Sequence, residues 1–257
     1  MKEKLGISMT AVRPLLWKVI LLLVLTAAVQ LFLGYRAAAT FPGNTAVQLF
    51  LEYRAAATFP GNTVESFSQF LSRCHTGLVA MAGLLVLLVI LALQGCQFSG
   101  HWVSGTLQRL PTGEGTITVV YGLTHLGFLV LYWAVEVFVM VALYWFYGKS
   151  LGFPLVVAAY TTPFFHSMLP LSDWLRLLLS VLWALALASC TASFGFFQRR
   201  GSFQISPLLV TAAGLYSFSV SGNVGVEVLF SVVFLFFISW QVFWIHGEVK
   251  EHGKAED

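Results

Sequence analysis

Five stretches of this chain stay apolar for about the thickness of a bilayer: LLWKVILLLVLTAAVQLFLGY, TGLVAMAGLLVLLVILAL, LGFLVLYWAVEVFVMVALYWFYG, LRLLLSVLWALALASCTASFGFF and VGVEVLFSVVFLFFISWQVFW. A helix needs roughly 20 such residues to cross the hydrocarbon, where each backbone N–H and C=O must find its partner within the segment. The shorter SPLLVTAAGLYSFSV, opened by Pro207, reads as a sixth span. None of these runs has the alternation of a membrane β-strand. The balance of residue types points the same way. The chain is 58% hydrophobic and 10% charged, where soluble domains carry about 25% charged residues. So few charges cannot cover a surface facing water. The expected fold is therefore an all-α polytopic membrane protein with about six transmembrane helices.

Taken as a single transmembrane domain over 1–257, the chain divides into spans at 14–35, 76–96, 119–147, 174–197, 204–220 and 224–245. Between them fall an outer loop at 36–75, a cytoplasmic loop at 98–118, an outer segment at 148–173 and a tail at 246–257. Basic residues near helix ends are retained in the cytoplasm. With the N-terminus inside, Lys2, Lys4, Arg13, Lys18, Arg109, Arg199, Arg200, Lys250 and Lys254 lie inside, against Arg36, Arg54, Arg73, Lys149 and Arg176 outside. That majority favours both termini in the cytoplasm. The apolar run after Lys18 is long for a cleaved leader, so it reads as a signal anchor retained as the first span. Residues 151–171 are apolar but hold Pro154, Pro163 and Pro170. Proline removes a backbone donor and clashes with the preceding turn, which favours an interfacial or re-entrant segment. A seventh span there would instead place the C-terminus outside.

Residues 28–45 recur almost unchanged as 46–63, with Gly34 answered by Glu52. Solenoids need three or more repeats. Two scarcely diverged copies read as an in-frame tandem duplication in a permissive outer loop, where added length costs little closure entropy. The second copy follows Pro42-Gly43-Asn44-Thr45, a turn signal, and is too short to span.

Charge and motif searches narrow the function classes. A net charge of +3, spread along the chain, gives no nucleic-acid footprint. Cys74, Cys96 and Cys190 form no CxxC and read as small apolar residues. No two of the six histidines have the i, i+4 spacing of a helical metal pair, and HExxH and GxSxG are absent. Gly148-Lys149-Ser150 ends like a phosphate-binding loop, but Leu143 stands where that motif needs glycine. No catalytic residue, metal site or cofactor is expected, and the chain is not read as an enzyme. Two polar residues of the third span are the candidates for an intramembrane site: His125 and Glu136, 11 residues and about three turns apart. A charge at bilayer depth costs at least about 2.5 kcal/mol, so such residues face a bundle interior or polar cavity. They serve either a substrate or proton path, or helix packing. Glu227 reads as interfacial, near the end of the last span, and the many Trp and Tyr residues near span ends as an aromatic belt in contact with lipid.

The loop between spans two and three reads FSGHWVSGTLQRLPTGEGTITVVYG. Residues 101–110 can form a short amphipathic helix on the inner face, ended by Pro111, Gly113 and Gly115. Gly105-Thr106-Leu107-Gln108-Arg109-Leu110-Pro111 resembles the coupling segment of permease subunits in type-2 ABC exporters, with Gln108 in place of an acidic residue. The resemblance implies a subunit of six spans that dimerises, as a homo- or heterodimer, and works with a separate ATP-binding subunit. It further implies that Gly105, Thr106, Leu107, Arg109 and Leu110 couple to that ATPase, with Leu107 and Leu110 as buried contacts and Arg109 as the charged one. The membrane implied is a bacterial-type plasma membrane. A non-transporting membrane scaffold or regulatory protein is the alternative.

Overall fold

The computed structural model describes residues 2–39, 71, 74–94, 114–148, 166, 173–199, 201–219 and 223–253. The second copy of the repeat, loop positions 98–113 and the proline-rich segment 151–171 apart from His166 lie outside them. Six α-helices make up the described chain, and no strand occurs among the described residues. They are α1 (Lys2–Ala39), α2 (Thr76–Leu93), α3 (Glu114–Leu143), α4 (Trp174–Arg199), α5 (Ser206–Ser219) and α6 (Val224–Gly253). A π-helical turn, Tyr144–Gly148, prolongs α3.

Five helices are long and apolar enough to cross a membrane: Leu15–Ala37, Thr76–Leu93, Gly115–Phe146, Trp174–Gln198 and Val224–Gly247. The segment read as the fifth of six spans forms α5, whose 14 residues rise only about 21 Å against a core of about 30 Å. Side chains are distributed inversely to those of a soluble domain. Trp17, Phe138 and Phe243 are 69–75% exposed, whereas Gln30, His125 and Arg176 are fully buried. Water would penalise that exterior, whereas hydrocarbon accepts it. The chain is an all-helical, multi-pass membrane protein.

The helices form two compact units. One comprises Met1–Leu21, Leu85–Leu131 and Leu175–Asp257. Its buried residues include Phe196, Phe234 and Leu187, with Ile117, Tyr121 and Ala192 packed as a cluster. Local signals set its helix ends. Gly201, at φ +77°, ends α4 by letting its own N–H reach Gln198 O and the Ser202 N–H reach Phe197 O. Asn223 caps α6, its Oδ1 accepting from the N–H groups of Gly225 and Val226.

The other unit comprises Leu22–Leu84 and Tyr132–Trp174, with Leu23, Ala80, Val139 and Met140 among its buried residues. Burial pushes the Cys74 thiol, just before α2, up to about 11. Cys74 and Cys190 are free thiols.

Candidate functional site

In the second unit α1, α2 and α3 bring polar groups to one seam. Thr26 and Gln30 share a face of α1, and Tyr132 and Glu136 share one of α3, because residues four apart are neighbours on a helix. Gln30 Nε2 donates to Glu136 Oε2 at 2.8 Å, and both side chains are no more than 1% exposed. The Tyr132 hydroxyl lies against the Glu136 carboxyl and donates to the Ala80 carbonyl of α2 at 2.6 Å. Thr26 turns its hydroxyl back to the Leu22 and Leu23 carbonyls, so its methyl is left to face α2.

Gly83 makes this approach feasible. A Cβ there would meet both the Thr26 methyl and the Tyr132 hydroxyl at 2.6 Å. Gly83→Ala is expected to cost about 2 kcal/mol, within the range for overpacking, because the Tyr132 hydroxyl can make room only by giving up its bond to Ala80 O. The check is the thermal midpoint in detergent. No change in the midpoint would mean that the seam is looser than these distances.

Other buried polar groups belong to the first unit. His125, on α3, is held through both ring nitrogens. Nδ1 lies 3.0 Å from Thr191 Oγ1, and Nε2 lies 3.0 Å from Gln94 Oε1. With both nitrogens engaged, His125 has no free position for a metal. Among the described residues no three His, Cys, Asp or Glu side chains gather as metal ligands. Arg176 of α4 reaches Ser217 O of α5 at 3.0 Å and Glu227 Oε1 of α6 at 3.4 Å. Glu227, in the first turn of α6, is 2% exposed, its carboxyl held against the protein by the Arg176 guanidinium. Gln241 Nε2 donates to Ser206 Oγ at 3.0 Å and contacts Cys190 Sγ at 3.8 Å.

The two intramembrane residues expected from the sequence, Glu136 and His125, are both buried on α3. Each has its own hydrogen-bond partners, Gln30 at Glu136 and Thr191 and Gln94 at His125. The coupling positions Gly105, Thr106, Leu107, Arg109 and Leu110 lie outside the described residues, in the connection between α2 and α3. Gln30, Tyr132, Arg176 and Glu227 were not foreseen as site residues. Gln30 carried a usable signal, a lone amide inside the apolar run TAAVQLFLG.

Comparison with protein-family models, curated proteins and solved structures finds no match for this chain. Functional assignment therefore rests on its own residues.

Proposed function

We propose that this chain is the membrane-spanning subunit of an ATP-driven exporter in a bacterial-type plasma membrane. Both termini are cytoplasmic in this proposal, and the chain works as a homo- or heterodimer with a separate ATP-binding subunit. The observation that carries the proposal is the place of Gly105–Pro111. It falls in the connection between Leu93, where the second apolar helix ends, and Glu114, where the third begins, as the coupling segment of such a permease does. ATP-driven closure of an ATPase pair against that segment would rock α2 and α3 as rigid elements and alternate access to a path between subunits. Chemistry on the substrate is not part of the proposal.

Affinity purification of the tagged chain in mild detergent tests it, beside a Leu107→Asp, Leu110→Asp variant. The native chain is expected to bring down an ATPase, and the variant to lose it. Two carboxylates in an apolar groove would each remain without a counter-charge, so more than tenfold less ATPase is expected with the variant. If the folded native chain retains no ATPase after crosslinking in membranes, the exporter proposal fails.

A scaffold or regulatory role is the second reading. It is favoured by His125 and Arg176, each held by partners within the same unit and so suited to fixing helix packing.

A further inference from the structure

We propose that the start of α5 is a hydroxyl-binding site among the membrane-spanning helices, built from Ser193, Gln204, Ser206 and Gln241. Helix lengths place it there. α5 opens at Ser206, whose hydroxyl oxygen accepts from Gln241 Nε2 at 3.0 Å. Gln241 lies six residues, about 9 Å of helix, before Gly247, where the apolar stretch of α6 ends. On α4, Ser193 falls inside the apolar stretch Trp174–Gln198. The N-terminus of the short α5 thus meets polar side chains from within two apolar helices. Helix N-termini set among spanning helices are where membrane proteins seat polar ligands.

Gln241 supplies the second observation. It is 1% exposed and its Oε1 has no hydrogen-bond partner, while Nε2 meets Ser206 Oγ and, at 3.8 Å, Cys190 Sγ. The neighbouring hydroxyls do not answer Oε1. Ser193 Oγ donates to the Cys190 carbonyl at 3.1 Å, and Ser206 Oγ to Gln204 Oε1 at 3.3 Å. Ser193 comes only to 3.5 Å of Gln204 Oε1, so both contacts to that oxygen exceed the usual O–H···O length of about 2.7–2.8 Å. Amide orientation is assigned from hydrogen bonding, so the reversed amide must be counted too. Oε1 would then accept from Ser206, and Nε2 would carry its two hydrogens to the side without a partner. One orientation lacks a donor and the other an acceptor. A hydroxyl supplies both, whereas an anion or an ammonium supplies one.

Gln204 and Ser206 are half-buried, and Ser193 and Gln241 lie buried behind them. Entry is therefore past the turn at 201–205, where Phe203 and Ile205 are exposed. Water and a lipid headgroup that carries glycerol both offer a hydroxyl. A buried water takes about two to four polar partners, and Gln241, Ser206 and Gln204 supply that number. The site is independent of the exporter reading and would serve a scaffold as well.

Water-edited solid-state NMR of the full chain in vesicles tests this, with the glutamine side-chain amides isotopically labelled. The Gln241 amide is the resonance missing in Gln241→Asn. In vesicles of phosphatidylcholine, whose headgroup has no hydroxyl, direct transfer from water to this amide is expected. Transfer seen only after phosphatidylglycerol is added would assign the hydroxyl to the lipid instead. Ser193→Leu puts an apolar side chain into the site and should abolish the transfer. Ser206→Ala removes one partner of the hydroxyl and should weaken it, and this variant serves if Ser193→Leu fails to fold. Absence of transfer in both kinds of vesicle would overturn the proposal. Transfer undiminished in whichever variant folds would also overturn it, because the amide would then be reached by opening of the helices and not by a resident hydroxyl.

Discussion

Arg176→Met is expected to destabilise the protein by about 3–5 kcal/mol, the range for removing one partner of a buried ion pair. The variant leaves the Glu227 carboxylate buried at 2% exposure without its guanidinium. The pair is 3.4 Å apart, which is long for a hydrogen bond, so the penalty arises mainly from desolvation. A second loss accompanies it. Ser217 lies in the last turn of α5, whose carbonyls have no intrahelical donors, and Arg176 supplies one at 3.0 Å. One side chain thus ties the start of α4, the end of α5 and the first turn of α6. Arg176→Met combined with Glu227→Met should recover most of the loss, since a volume-matched apolar pair needs no counter-charge. The measurement is equilibrium unfolding in mixed micelles. If the double variant is no more stable than Arg176→Met, the stranded charge is not the cause, and the Ser217 contact carries the effect.

Hydropathy made the helices legible because length and apolar content alone decide whether a segment can cross hydrocarbon. The pairing of polar groups was hidden for a different reason. Gln30 and Glu136 are 106 residues apart, and Arg176 and Glu227 are 51 apart. Which of them meet depends on the rotation of each helix about its axis. In helices that are apolar all round, no stripe reveals that rotation. Arg176 shows the cost. It was counted among the outer loop charges that set orientation, yet it is buried in an ion pair, which leaves four residues in that set. His125 and Glu136 show the converse. Their spacing places them on nearly one face of α3, but the partners that define each site come from other helices. The coupling-type loop remains legible only in the sequence.

Gly214→Ala is expected to cost about 3 kcal/mol, at the upper end of overpacking. A Cβ at this position of α5 would overlap three atoms of the Trp183 indole, on α4. The contrast with Gly83 lies in what must move. There the close obstacles are two single atoms, the Thr26 methyl and the Tyr132 hydroxyl, whereas here three atoms of a rigid bicyclic ring fill the space. Trp183 is also tethered, its Nε1 donating to the Val210 carbonyl at 3.0 Å. The ring cannot withdraw without giving up that bond, and Val210 is itself fully buried. Trp183→Leu should therefore rescue Gly214→Ala, with a coupling of about 0.5–3 kcal/mol between the two positions. Unfolding midpoints of the two single variants and the double variant give that coupling directly. Additive losses would mean that α4 and α5 meet elsewhere, and that Gly214 is needed for its backbone and not for the room it leaves the indole.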